Sequence, residues 1–344
     1  MNDGTKPRDA VRYLFRLRRF GVKKGFERVE RLLRELGNPH EEFDAVQIGG
    51  TNGKGSVGRM LESCLLDAGH DVGLYTSPHL LELGERVRVG GERTRKRRIA
   101  EFVERVRPCV EEMIAEGNAP TFFEVTTVMA FDEFARRGVD IGVLEVGLGG
   151  RFDTTSVCDT DVSAVTSVDR EHTDVLGEDV EEIAWELGHV IPEDGTCVTG
   201  AEGEALEVLR SMADERDANL VEVGEDIEYD EPNRDGFEQV LGIRTRVSEY
   251  EGARLPLLGE HQARNACVAV GLLESVSESL GYDVDDGNVL SGLRTADLPG
   301  RFEVVGTDPL VVLDGAHNPA AIDALAETLA DFEHDELGVV FGAM

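Results

Sequence analysis

The run Gly49-Gly50-Thr51-Asn52-Gly53-Lys54-Gly55-Ser56 gathers several features that hold an anion. Gly50, Gly53 and Gly55 let a backbone approach an anion closely, and Lys54 adds a point charge. A helix opening beside Ser56 would aim its free amides at the same place. The chemistry this serves is phosphate binding, with the loop residues Gly50, Thr51, Asn52, Gly53, Lys54, Gly55 and Ser56 around the ligand. The common spacing G-x-x-x-x-G-K-[ST] does not fit, however: Ile48 stands where the first glycine belongs, and Gly55 separates Lys54 from Ser56.

The elements that must position this loop are legible around it. Short apolar runs, "FDAVQIGG", "DVGLYTSP", "VDIGVLEVG" and "DVSAVTSVD", alternate with helical patterns over 56–68, 99–115, 124–137 and 180–187. That alternation predicts an α/β fold: a mostly parallel sheet with helices on both faces. In such a sheet ligands gather at the carboxyl ends of the strands. Those ends present Lys54 and Ser56, then Thr76, Ser77 and His79, then Glu145, then Asp169 and His172. Ser77, Glu145 and His172 together offer two oxygens and a nitrogen, a set compatible with a divalent ion bridging nucleotide phosphates. Singly, each is an ordinary polar residue or a helix cap.

Further along, the pattern changes. From 221 to 258 the alternation loosens around Pro232, Gly236, Gly242 and Gly252, as in antiparallel hairpins. A helix carrying Ala266, Val270 and Leu273 follows, and Pro299-Gly300 breaks the chain. Beyond lie a strand within "PLVVLDGAHNP", a helix over 320–332 and a strand within "LGVVFGAM". About 45 residues cannot bury both faces of a parallel sheet, so 299–344 is expected to be the truncated start of a last domain.

Composition narrows the partners. A net charge of −34 disfavours nucleic acid, because acidic surfaces repel phosphate backbones. Only Lys6, Lys23, Lys24, Lys54 and Lys96 are lysines, every other cation being arginine. An acidic, lysine-poor surface suits a cytosol of molar salt, so the chain reads as a halophile's protein. An apolar fraction of 41% argues against disorder. The five scattered cysteines indicate neither a disulfide framework nor a zinc site. Arginines interrupt the apolar residues of the N-terminus, and no apolar stretch would span a bilayer. A cytoplasmic monomer acting on small molecules, without a nucleic-acid or membrane partner, is the expectation.

Two other motifs carry less. "EVGLGGRFD" lacks the second spacing of the dinucleotide fingerprint and reads better as a tight turn exposing Glu145. The basic run Arg93, Arg95, Lys96, Arg97, Arg98 is in most proteins a solvated helix face; its functional reading is capture of an anionic substrate.

The ordered motifs "GGTNGKGS", "YTSPHLLELGERVRV", "PTFFEVTTVMAFDEF", "EVGLGGRFDTT", "EHTDVLG", "LLGEHQARNA", "PGRFEVV" and "VVLDGAHNP" resemble those of folylpolyglutamate synthase / dihydrofolate synthase, a branch of the Mur ligase family. The resemblance covers nearly the whole chain, and the phosphate loop T-x-G-K-G-S is that family's own. It implies a three-domain enzyme, with a P-loop-like N-terminal domain in an ATP-binding region over 1–298 and, from 299–344, the truncated start of a Rossmann-like C-terminal domain closing over ATP. It also implies glutamate addition to dihydropteroate or a folate through an acyl phosphate, giving ADP and phosphate. By matched position, Lys54 and Ser56 would hold phosphates, and Ser77, Glu145 and His172 would ligate Mg2+, with K+ as a further ion. Asn265 would meet the adenine, and Arg301, Asp314 and His317 would reach the phosphates, ribose and acyl phosphate. Lys54, Glu145, His172 and His317 are the catalytic expectations. Two departures stand out. Leu187 replaces a family lysine that is often carbamylated and supports the metal, and Ser156 ends a motif that usually reads D-x-T-N. The alternatives are a Mur-type ligase for a different acceptor, or a non-catalytic nucleotide-binding module.

Overall fold

A computed structural model describes residues 6–21 and 23–342. Its centre is an eight-stranded sheet: β1 (Asp44–Gly49), β2 (Val72–Tyr75), β3 (Val87–Val89), β4 (Glu92–Arg93), β5 (Ile141–Glu145), β6 (Val162–Val165), β7 (Thr196–Thr199) and β8 (Asn219–Glu222). The order is β4-β3-β2-β5-β1-β6-β7-β8. Every pair from β2 to β8 is parallel, and β3 and β4 add an antiparallel edge. Parallel strands need helical crossovers, and these cover both faces.

The helices are α1 (Pro7–Arg16), α2 (Glu27–Leu36), α3 (Lys54–Asp67), α4 (Lys96–Ala115), α5 (Phe122–Arg137), α6 (Thr173–Leu176), α7 (Val180–Leu187), α8 (Gly203–Glu215), α9 (Glu260–Leu280), α10 (Asp286–Thr295) and α11 (Pro319–Ala330). Period-two alternation along the strands sorts them into layers. Val46, Ile48, Val72, Leu74 and Val143 face α3 and α9. Ala45, Tyr75 and Leu144 face the α1, α2, α4 and α5 layer, while Val165 and Cys197 pack with α7 and α8. The sheet's C-terminal edge, which carries the loop at 50–56, is thereby held from two sides.

The hairpin region is a separate antiparallel sheet of β9 (Glu228–Tyr229), β10 (Asn233–Asp235), β11 (Glu238–Arg244) and β12 (Glu249–Leu255). Past Pro299, β13 (Glu303–Thr307) and β14 (Leu310–Leu313) pair antiparallel, and α11 packs on them through Phe302, Phe332, Leu325 and Leu329. One expected strand is not there. Residues 337–342 of "LGVVFGAM" form no strand, and Gly338, Val339, Val340 and Phe341 lie exposed. Apolar character cannot make a strand without a ladder partner, and among the described residues this stretch has none. The last two residues lie outside the described ones.

Candidate active site

β1 delivers the phosphate loop to the edge of the sheet, and α3 starts directly at Lys54. Two glycines have a steric reason. A Cβ on Gly50 (φ +129°) would lie 2.1 Å from Thr166 Oγ1, and one on Gly53 (φ +91°) 2.3 Å from Asn265 Oδ1. The loop is tied to the next strand end: Thr51 N donates to Ser167 O (2.7 Å), Asn52 N to Ser167 Oγ (3.1 Å) and Thr166 Oγ1 to Asn52 O (2.6 Å). Among the described residues no side chain caps α3, which leaves its first amides for a ligand.

Lys54, expected in the loop, is the partly buried first residue of α3, and its ammonium donates to Gly50 O and to Thr51 O (2.9 Å). Burial pushes the ammonium below its ordinary range, while Glu145 and Glu171 pull it back up. Glu145 has the mirror problem. It is 7% exposed at the end of β5, burial raises its carboxyl, and Lys54 and the Ser77 amide (3.0 Å to Oε2) oppose that rise.

A cavity of about 330 Å3 lies in front of this loop. It brings together Thr51, Asn52, Gly53, Lys54, Gly55, Ser56, Ser77, Glu145, His172, Asn265, Arg301, Asp314 and His317. Gly50 lies behind them, against a smaller void that also touches Glu171, His172 and Leu187. Arg301, Asp314 and His317 come from the region beyond Pro299 and form the opposite wall. Asp314 is fixed by the amides of Phe302 (2.7 Å) and Ala316 (2.7 Å). His317 Nε2 stands 3.1 Å from Glu171 Oε1, and the amides of Asn52 and Asn318 exchange hydrogen bonds of 3.3 and 3.0 Å across the cavity. His172 takes a left-handed backbone (φ 52°) at the start of α6.

A second cavity of about 290 Å3 opens beside the first and shares Ser77, Pro78 and Gly147 with it. Phe123 and Phe152 supply aromatic surface, Lys23, Lys24 and Arg86 supply positive charge, and Glu124, Asp153 and Glu186 supply negative charge. The turn at Gly147 is held by buried Asp153, whose carboxylate accepts from the amides of Gly147 (2.9 Å), Leu148 (3.1 Å) and Thr155 (3.0 Å). The neighbouring Ser156 receives Gln47 Nε2 of β1 (2.8 Å) and donates to Gly150 O (2.7 Å).

Other residues lie elsewhere. His79 does not line the nucleotide cavity; it accepts from Arg86 Nε (2.9 Å) and meets Phe15 edge-on. The basic run is also remote from it. Arg93 and Lys96 pair with Glu82, Arg95 with Glu92, and Arg97 and Arg98 with Glu101. Glu171, His261 and Asn318 line or close the site and were not singled out from the sequence, although each sits inside a quoted motif. Among the described residues no group of three or more His, Cys, Asp or Glu side chains is arranged to hold a metal alone.

Residues 48–273 match the Mur ligase middle domain and residues 300–344 the Mur ligase glutamate ligase domain. A dihydrofolate synthase/folylpolyglutamate synthase of Bacillus subtilis is 35% identical over 345 residues, covering 99% of this chain and 80% of the relative. The chain belongs to the dihydrofolate synthase/folylpolyglutamate synthase branch of the Mur ligase family. A further relative is a probable bifunctional folylpolyglutamate synthase/dihydropteroate synthase of Halobacterium salinarum, 48% identical over 338 residues and 98% of this chain. The chain spans 41% of that protein's length. Among solved structures, a complex of FPGS with AMPPCP and folate superposes with a TM-score of 0.91 at 28% identity, covering 95% of this chain and 80% of that one. In this Mur ligase chain, Leu187 stands 3% exposed within the α7 and α8 packing, beside the void that borders Lys54.

Proposed function

We propose that the chain carries the nucleotide and acceptor sites of an ATP-dependent ligase that joins L-glutamate to dihydropteroate, a folate, or both, forming an acyl phosphate and releasing ADP and phosphate. The observation that carries this reading is the junction of the two cavities: an amide-rich pocket that sets Lys54 and Arg301 among the carboxylates of Glu145, Asp169, Glu171 and Asp314 meets an aromatic pocket of mixed charge at Ser77, Pro78 and Gly147. An aromatic acceptor held by Phe123 and Phe152 would present its carboxylate at that junction, facing the γ-phosphate. The solved relative with AMPPCP and folate supports the same pairing of ligands.

The reaction needs charge neutralisation and alignment more than a protein nucleophile. Lys54 and the amides opening α3 would take the β- and γ-phosphates, and Arg301 and His317 would meet them from the other wall. The acceptor carboxylate then attacks the γ-phosphorus and ADP leaves; the glutamate amine attacks the acyl carbon and phosphate leaves. Asn265 and Asp314 would hold the nucleoside. Ser77, Glu145 and His172, which line one cavity, would hold Mg2+: the Glu145 carboxylate and the Ser77 hydroxyl match an ion whose shell is completed by substrate phosphates and water, and the His172 imidazole would be its one nitrogen neighbour. When bound, that ion would neutralise charge developing on the phosphates. The division into 1–298 and 299–344, and action as a cytoplasmic monomer, belong to the same proposal. No helix among the described residues is long and apolar enough to cross a membrane.

The test is product analysis by mass spectrometry with the full natural polypeptide, ATP, L-glutamate and either dihydropteroate or tetrahydrofolate. Glutamylated product with matching release of ADP and phosphate is expected. ATP turnover indifferent to both acceptors would overturn the reading and favour a different acceptor class.

A further inference from the structure

Behind the phosphate loop, away from both cavities, lies a buried ionic cluster that no motif signals. Arg59, the sixth residue of α3, is 7% exposed, and Glu62, one turn later, is fully buried. One terminal nitrogen of the Arg59 guanidinium pairs with Glu62 Oε2, which Arg88 of β3 also approaches (3.4 Å). Held by Glu62, the fork turns its remaining edge outward. Nε donates to the backbone oxygen of Asp297 (3.0 Å) and Nη2 to its carboxylate (3.2 Å).

Asp297 begins the segment that leads from α10 into the opposite wall of the nucleotide cavity. Leu298 follows and packs against the phosphate loop, 3.6 Å from where a Cβ on Gly55 would lie. Gly300 (φ +71°) then receives the Gly315 amide (2.9 Å), and Arg301 enters the cavity. One rigid helix therefore carries the phosphate-facing amides at its start and, six residues in, the clamp on the strand of chain that places Arg301.

We infer that Arg59 is a positioning residue. It registers the 297–301 segment, and through it Arg301, against the phosphate loop, using Glu62 to orient its guanidinium. A planar fork with two parallel donors does this; a lysine ammonium at the same place would satisfy Glu62 but could not address both acceptors on Asp297. The inference rests on the proposed nucleotide site for its consequence, though the clamp itself can be read without turnover.

The experiment compares the full natural polypeptide with its Arg59→Lys, Asp297→Ala and Asp297→Asn variants at fixed molar KCl. ATP affinity is measured by calorimetry and amide exchange by mass spectrometry, with and without a non-hydrolysable ATP analogue. Asp297 is the safer site, since its side chain is 79% exposed and contributes little to the core. Arg59→Lys, which cannot make both bonds to Asp297, is expected to bind ATP roughly tenfold more weakly, and Asp297→Ala, which keeps the backbone acceptor and loses only an exposed carboxylate, about two- to threefold more weakly. Exchange should quicken at residues 298–302 while β1 and β5 stay protected, and Asp297→Asn, which keeps a side-chain oxygen, should recover most of the affinity. Parent-like affinity and parent-like exchange at 298–302 in Asp297→Ala would overturn the inference, as would exchange that quickens evenly across the sheet. If the parent itself binds no ATP, the functional reading fails, and the exchange measured without nucleotide still decides the clamp.

Discussion

At the scale of single residues, the site is a set of charges that destabilise themselves until a ligand arrives. Burial costs Lys54 its ordinary proton affinity and gives Glu145 more than its own, and each is only partly relieved by the other. On the proposed function, a nucleotide would add an anionic partner beyond Glu145 and Glu171 to a Lys54 that otherwise turns back on the carbonyls of Gly50 and Thr51. Lys54→Ala should therefore lower ATP-dependent ligation by more than about 100-fold, the scale of removing one preorganised charge stabiliser. The two lost hydrogen bonds to the loop should cost only a small part of the melting temperature. Near-parent ligation rates in a folded Lys54→Ala protein would refute the phosphate role. The two departures from the family pattern differ in kind. Ser156 still ties β1 to the turn at Gly150, a task any small hydroxyl can do. Leu187 fills space beside the Lys54 void with hydrocarbon, so the negative charge of the site comes from Glu145, Asp169, Glu171, Asp314 and the substrate.

Elements fix where those residues stand, and their packing has its own test. His40, in the turn Pro39–Glu41, lies with its ring 6.4 Å from Phe131 of α5, and its Nδ1 is buried without a hydrogen-bond partner among the described residues. Burial pushes its imidazole below the ordinary value, outweighing the pull of Glu41 and Asp159. A depressed folded value means that protonation favours the unfolded chain. The contribution of neutral His40 is present above about pH 6.5, the unfolded value, and is lost as pH falls through the folded one. Between pH 7 and pH 5 the parent should thus lose melting temperature faster than His40→Phe; parallel curves would show that the imidazole titrates freely. The parallel strands beside the loop were legible because each is a short apolar run bracketed by turn residues, and the hairpin sheet because its glycines interrupt alternation. Helices α1 and α2 were not, since arginines there draw the eye from the buried stripe Ala10, Tyr13, Leu14 and Leu17. The β7, α8 and β8 stretch hides behind apolar runs of only a few residues. The site was legible where its residues are contiguous. Arg59 and Asn318 were not, because pairing across 238 and 266 positions of chain is decided by folding alone.

For the whole molecule the controlling quantity is charge density. Spread over 16925 Å2 of accessible surface, 34 unbalanced negative charges stand roughly 22 Å apart, against a Debye length of about 30 Å at 10 mM salt and 10 Å at 0.1 M. The general repulsion therefore acts fully at 10 mM and is mostly screened soon above 0.1 M. Neighbouring carboxylates are another matter. Glu111 with Glu112, Glu181 with Glu182, and Asp285 with Asp286 sit well inside 10 Å, and only molar salt, with a screening length of about 3 Å, separates them electrically. Salt also weakens surface ion pairs such as Arg97 with Glu101, but exposed pairs contribute about 1 kcal/mol or less each, whereas the unbalanced charge is collective. Repulsion should win, and the melting temperature should climb in two stages, first up to about 0.3 M KCl and again towards 2 M, by roughly 10 °C in all, or about 7 kcal/mol at this chain length. NaCl at equal ionic strength should raise it equally, since screening does not distinguish the cations. A rise confined to KCl would instead point to bound K+, and a melting temperature flat from 10 mM to 2 M would remove the halophile reading of the composition.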